Sequence, residues 1–300
     1  MRHEIARKYL NPSNYLHFLM RRVWALFPNL IVDRHIYALK WNGLTSHLEN
    51  CETAVFHISA QELSDWVRTF FPDYMKKFGD FRHKKLIEFY ATFHLLNPKE
   101  EHVFMDAAGG ANGYLRRLRC KKRILQNLRI GGKTKDILGP GVDYIEGNAA
   151  SIPLPDESVN LISCHHSFEH FQKEADIAFV KEVQRLLKVT GRCCIVPLFI
   201  ANRYAEITSR LSFQFKFDKR SLRIIDPTAR IPGRYYARVY DLSAFQQRVL
   251  KHIDQSRFKV EIFELRLDGA LLPDLSLKCH RLVTAVNFPY RALVLHRLKK

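Results

Sequence analysis

None of the six cysteines, at 51, 120, 164, 193, 194 and 279, forms a CxxC pair, so the sequence offers no zinc ribbon, no dithiol redox motif and no small disulfide framework. A chain of 300 residues needs no such staple, because buried fraction rises with length. A reducing cytosolic compartment is therefore expected. No apolar core ending in a cleavage site follows Arg2 and Arg7, which speaks against a secretory signal. Nor is there an apolar run long enough to span a bilayer. The nearest, Tyr15 to Val32, is interrupted by Arg21-Arg22 and broken by Pro28. It reads as a helix packed on the main domain, or else as an interfacial helix at the inner face of a membrane, with Leu16, Phe18, Leu19, Trp24 and Leu26 on one side. Repeats and low-complexity tracts are missing too. Acid is in short supply, with 30 Asp and Glu against 48 Lys and Arg, giving a net charge of +18. Such a balance favours polyanionic partners: nucleic acid, anionic lipid or an acidic glycan.

What is present is an alternation of strand and helix. Strands are expected at His102–Asp106, Lys122–Leu128, Asp143–Ile145, Val159–Cys164, Arg192–Leu198, Phe258–Leu267 and Arg291–Leu298, with helices at Phe81–Leu96, Gly113–Arg119, Lys173–Leu187 and Leu242–Ile253. Helices between strands imply a parallel sheet covered on both faces. Residues 1–80 show no parallel-strand pattern and read as a helical N-terminal extension or cap, leaving 81–300 as the main domain. Between Ala201 and Val239 lies an insertion in which arginines and lysines interleave with Tyr and Phe. It follows the carboxyl end of a strand, the edge where open α/β sheets bind ligands, and is expected to act as a lid or substrate platform.

The stretch Val103–Gly113 is an apolar strand ending in Asp106 and a small-residue turn, Ala107-Ala108-Gly109-Gly110. It is followed by Gly147-Asn148-Ala149-Ala150-Ser151-Ile152-Pro153-Leu154-Pro155-Asp156-Glu157-Ser158 and by Asn160-Leu161-Ile162-Ser163-Cys164-His165-His166-Ser167-Phe168-Glu169-His170. Glu182, Arg185, Leu186, Leu187, Lys188 and Gly191 add a helix-turn-strand pattern. In order and spacing these segments resemble the class I S-adenosylmethionine-dependent methyltransferases, in particular their small-molecule branch. The resemblance implies a Rossmann-like, doubly wound, mostly parallel seven-stranded sheet with an antiparallel last strand.

It also implies S-adenosylmethionine as cofactor, held by Asp106, Ala108, Gly109, Gly110, Asn127, Asn148, Ala149 and the backbone of His165. Departures from the family pattern concentrate here. Ala108 and Asn112 stand at two glycine positions, and Asn127, Asn148 and Asn160 stand where the family carries acids. Asn127 falls at the place of the carboxylate that takes the ribose diol, and Asn148 at that of the acceptor for the adenine amino group. His166 and His170 are the candidate catalytic residues, since histidine suits proton removal near neutral pH. No metal is expected, because Glu169 is the only nearby carboxylate to complete a shell with His165, His166 and His170.

Arg220, Arg223, Arg234 and Tyr235 of the insertion are the candidate acceptor-binding residues. The expected reaction is O-methylation of a small molecule or cell-surface glycan bearing an anionic group. Two alternatives stay open: an RNA methyltransferase, suggested by the charge and the interleaved aromatics, and a non-catalytic binding protein with the same fold, suggested by the amides at acid positions.

Overall fold

In the computed structural model of the chain, residues 48, 50–73, 84–110, 113–209, 216–226, 236–272 and 289–299 are described. The segment Tyr15–Val32, Asn112, Arg234 and Tyr235 lie outside them.

Apolar residues alternate in destination along the central strands, and this makes the sheet two-faced. Strands β1 (Glu52–Ile58), β2 (Val103–Asp106), β3 (Lys122–Asn127), β4 (Asp143–Glu146), β5 (Val159–His165) and β6 (Leu187–Val196) precede the insertion. Met105, Ile124 and Ile162 join one apolar cluster, whereas their chain neighbours Phe104, Leu125 and Leu161 join the other. The first cluster is roofed by the helices Ala175–Leu186 and Leu242–Arg248. The second is covered by α1 (Ala60–Phe70), α2 (Lys84–Leu96), α3 (Tyr114–Arg117) and α4 (Gly132–Leu138). In α2 every residue from Leu86 to Thr92 is buried, so this helix lies sandwiched instead of showing one face to water.

After β5 come a 3-10 turn at Phe168–His170 and α5 (Ala175–Leu186). The insertion follows β6 and folds as a small sheet of β7 (Ala205–Ser209), β8 (Leu222–Asp226) and β9 (Tyr236–Val239), with β7 parallel to β8 and antiparallel to β9. The chain returns through α6 (Leu242–Arg248), β10 (Phe258–Leu267), β11 (Ala270–Leu271) and β12 (Arg291–Arg297).

The main sheet runs β1-β10-β12-β6-β5-β2-β3-β4, with β11 paired to β10. The last strand, β12, is antiparallel to both neighbours, as expected, while β6, β5, β2, β3 and β4 are mutually parallel. Two expectations are corrected. The sheet has nine strands among the described residues and not seven. One of the additional strands, β1, lies within residues 1–80 and pairs in parallel with β10, so Glu52–Ile58 belongs to the sheet. Its first four residues are exposed, as befits an edge strand, and its short apolar run, Ala54-Val55-Phe56, shows no alternation that would mark it.

The described cysteines are all free. Among the described residues no helix is long and apolar enough to cross a membrane.

Candidate active site

The chain leaves β2 toward β3 on one side, while β5 pairs with β2 on the other, so strand order reverses between β2 and β5. Ligands of open α/β sheets bind in the crevice at this switch point, outside the carboxyl ends of the strands. The residues there are Asp106 and the turn after it on one side, and His165 to His170 on the other. The Ser167 hydroxyl joins the two sides by donating to the Ala108 carbonyl (2.8 Å).

The turn after β2 is tightly built. Ala108 takes φ 50°, the left-handed conformation that glycine adopts without strain, so alanine at this glycine position costs about 1–2 kcal/mol. At Gly109 a Cβ would sit 2.3 Å from Asp106 Oδ2 and 2.7 Å from Leu125 Cδ1, which only glycine avoids. Asp106 is fully buried and receives the Ser163 hydroxyl (2.8 Å), with His165 Nδ1 at 3.2 Å. Its side chain therefore anchors the strand end from beneath.

Gln126, which the sequence pattern did not single out, is the main brace between the binding loops. Its Oε1 accepts from the Ala108 amide (3.0 Å) and its Nε2 donates to the Gly147 carbonyl (2.6 Å). Asn127 is committed in the same way: Nδ2 donates to the Gly109 carbonyl (2.5 Å), and Oδ1 accepts from the Leu128 amide (2.7 Å). The amide at position 127 thus holds the glycine turn. Replacing Asn127 by Asp should weaken nucleoside binding about tenfold, because a carboxylate facing the Gly109 carbonyl turns a hydrogen bond into a repulsion of about 1–3 kcal/mol. Calorimetric titration of N127D against the native chain checks this, and tighter binding by N127D would refute the bracing role.

After β4, Asn148 Oδ1 accepts from the Ala150 amide (3.0 Å), leaving a second lone pair on an exposed side chain. Ala149 is buried, and its amide bonds nothing among the described residues. The following loop is clamped to α5: Glu182 accepts from the Ile152 amide (2.6 Å), while Arg185 donates to the Ile152 and Leu154 carbonyls (2.9 and 2.8 Å) and pairs with Asp156 (2.6 Å). Asn160 Oδ1 accepts from the Val103 amide (2.9 Å). The motif residues Glu182, Arg185, Asp156 and Asn160 are thus structural braces.

The histidines divide by environment. His165 is buried, with Nε2 3.0 Å from the Thr92 hydroxyl, and its ring belongs to the core. His166, at φ 48°, sits with Nε2 2.5 Å from Glu88 Oε1 and Nδ1 3.1 Å from Glu169 Oε1. Burial alone would lower its pKa, but the Glu88 carboxylate, followed by Glu169, lifts it to about 9, and the ring is an imidazolium at neutral pH. Glu88 is buried, which opposes its ionisation. The His166 charge, Lys85 and the Tyr290 hydroxyl outweigh that and hold it at about 2.

His170 is different again. Its side chain is 46% exposed, and Nδ1 lies 2.5 Å from the Tyr236 carbonyl of β9, so Nδ1 carries the proton and the neutral ring has its lone pair on Nε2. Glu169 Oε1 stands 3.7 Å from that nitrogen.

In the insertion, Arg220 is exposed beside Asp218 (3.6 Å), and Arg223 is exposed with its guanidinium 4.4 Å from the centre of the Phe217 ring. Arg238 is instead buried between Asp176 (2.6 Å) and Glu206 (3.2 Å), and Arg248 between Asp176, Asp218 and Glu174. Of the expected site residues, the structure gathers Asp106, Ala108, Gly109, Gly110, Asn127, Asn148, Ala149 and the three histidines at the carboxyl edge of the sheet.

Residues 119–195 match a family described as a methyltransferase domain. Two uncharacterized methyltransferase or methyltransferase-like proteins of Schizosaccharomyces pombe are 40% and 42% identical to the chain over 57 residues. That stretch is 19% of this chain, and the chain spans only about a fifth of the length of each relative, 22% and 21%. Among solved structures, an S-adenosylmethionine-dependent methyltransferase of Mesorhizobium loti is similar with a TM-score of 0.46 and 14% identity, over 70% of this chain and 97% of that one.

Proposed function

We propose that this chain, whose residues 119–195 match a methyltransferase domain, is a class I S-adenosylmethionine-dependent methyltransferase and transfers a methyl group to an oxygen of an anionic acceptor, a small molecule or a cell-surface glycan. The residues present fit the cofactor at its adenine end. There Asn148 has an acceptor lone pair for the amino group, and the buried Ala149 offers an open amide to a ring nitrogen. At the diol they supply no carboxylate, since Asn127 is bound into the turn. Binding is therefore expected to rest on the turn backbone and the adenine contacts.

When bound, the cofactor supplies an electrophilic methyl group on a sulfonium sulfur. Positioning the acceptor oxygen in line with it is the larger part of the task, because fixed orientation replaces a costly encounter. The observation that carries the reading is His170, half-exposed beside the switch-point crevice with its tautomer fixed by the Tyr236 carbonyl. Nε2 receives the acceptor hydroxyl proton as the oxygen takes the methyl group, and the Glu169 carboxylate stabilises the imidazolium that results. His166, already protonated, offers positive charge in place of basicity. Arg220 and Arg223, exposed on the insertion, favour an anionic group on the acceptor.

The first experiment is calorimetric titration with S-adenosylmethionine and S-adenosylhomocysteine. The absence of heat or thermal shift with either one contradicts the reading. The second measures methyl transfer to anionic glycan and small-molecule acceptors: His170→Ala should lower kcat by about 10²–10⁴-fold with little change in cofactor affinity. Replacing Arg220, Arg223 and Arg234 together by Ala should raise KM for the acceptor and leave kcat within a small factor. An unchanged KM would remove the anionic acceptor from the reading.

A further inference from the structure

His170 does not stand alone. From the interior of the molecule a chain of polar groups leads to it. Lys85 and Glu88 on α2 are joined by Lys85 Nζ to Glu88 Oε2 (3.0 Å). Glu88 Oε1 accepts the Tyr290 hydroxyl (2.5 Å) and His166 Nε2 (2.5 Å), and His166 Nδ1 reaches Glu169 Oε1 (3.1 Å). The same Glu169 oxygen is 3.7 Å from His170 Nε2. Glu88 has no exposed side-chain surface, and Glu169 has 5%.

The order of charges along this chain alternates: Lys85 positive, Glu88 negative, His166 positive, Glu169 negative, His170 titratable. A carboxylate buried 202 residues away in sequence from one of its donors is costly unless paired. Here each charge is compensated by the next. Glu169 Oε2 is the exception, being buried and bonding nothing among the described residues. An acceptor left open beside a half-exposed histidine is where a newly protonated ring gains most.

We infer that Glu88 is a positioning residue for proton transfer: by holding His166 as a cation it offsets half of the Glu169 ion pair, and so sets how strongly His170 retains a proton. This rests on His170 as the base in the function proposed above. With His166 charged, the field of Glu169 at His170 is offset in part, and Glu169 stabilises a protonated His170 only to that reduced extent. Remove the Glu88 carboxylate, and burial favours the neutral His166 ring, so Glu169 acts on His170 without opposition and stabilises its protonated form.

The remaining charged groups around His170 do not supply this control. Glu206, Arg238, Asp176 and Arg248 form a charge-balanced buried cluster that meets the Tyr236 ring through Arg238, Lys173 is solvated on the following loop, and the Asp106–His165 pair lies in the core, with His165 at the end of β5.

The test is an NMR titration of the His170 ring in ¹³C-histidine-labelled full-length protein, with neither cofactor nor acceptor present. Glu88→Gln should move the His170 midpoint upward by about one pH unit. If E88Q alone does not fold, the double variant E88Q/H166Q removes both charges, leaves neither buried alone, and should show the same upward shift. Where both fold, the two shifts should be equal, because Glu88 acts through His166. An unchanged or lowered midpoint in the variants that fold overturns the inference. The acid limb of kcat against pH should move with the NMR midpoint. A shifted midpoint in a protein that transfers no methyl group leaves the coupling standing and removes the proposed function. An unshifted midpoint in an active enzyme removes the coupling alone.

Discussion

Replacing Asp176 by Asn should lower the unfolding free energy by about 3–5 kcal/mol, among the largest losses available from a near-isosteric change in this protein. Asp176 on α5 has no exposed side-chain surface and faces two arginines at once, Arg238 Nη1 at 2.6 Å and Arg248 at 2.8 Å, while the Tyr240 hydroxyl donates to it at 2.8 Å. Burial works against its ionisation, but the Arg248 bonds and the Arg238 charge hold its pKa below the ordinary value. An amide in its place leaves two guanidinium groups sharing Glu206, Asp218 and Glu174, of which Glu174 is 71% exposed. The cost is that of buried charge left uncompensated, and it exceeds the worth of the pair itself. Urea denaturation at pH 7 measures it. A loss under 1 kcal/mol would mean that the cluster is hydrated or relaxes freely. Because Arg238 lies on β9 and Asp176 on α5, the same change should loosen the insertion from the turn that carries His170, and lower activity before the fold melts.

This network also shows why the sequence disclosed the fold better than the site. Strands at β2, β5, β10 and β12 were legible to within two residues, since each is an apolar run whose pattern survives without knowledge of partners. β1 was not, because an edge strand exposes its side chains and its parallel partner, β10, is some 200 residues away. α4 begins Gly132-Lys133-Thr134, which reads locally as a turn.

In the insertion, a run of arginines looks uniform in sequence. Tertiary partners alone separate Arg238, buried in ion pairs, from Arg220 and Arg223, which stay exposed. Gln126 carries no motif signal, because the resemblance places its acid one residue on, at position 127. Alternation along β3 buries Gln126 between β2 and β4, where it braces both binding loops. Glu88 was hidden by the apolar spacing of Leu86, Phe89, Tyr90 and Phe93, which implies a helix with one wet face, whereas α2 is enclosed from Leu86 to Thr92. His166 and His170 stand out in the sequence together, but the cation at His166 depends on Glu88, 78 residues before it, and the tautomer of His170 on the Tyr236 carbonyl, 66 residues after it, and no local motif records either partner.

The Glu88–His166 pair makes stability depend on pH with a definite sign. His166 has a folded pKa of about 9 against an ordinary 6.5, so its contribution is complete below pH 6.5 and is lost as pH rises through 9. Glu88 is held at about 2 against an ordinary 4.5, so its contribution is complete above 4.5 and is lost as pH falls through 2. Both values describe one interaction seen from its two ends, and they are not to be added. The native chain should therefore lose about 3 kcal/mol between pH 6.5 and 9 through this pair. The neutral double variant E88Q/H166Q should lack that alkaline loss and show a flatter curve across the same window. Other histidines bias the opposite side: His94, His102 and His252 have pKa values lowered mainly by burial, so their contributions fade as the solution is acidified and leave the alkaline limb untouched. Urea denaturation of both proteins at half-unit steps from pH 5 to 9.5 isolates the term as a difference. Parallel curves would show that His166 is neutral in the folded chain, and with that the alternation of charge from Lys85 to Glu169 would fail.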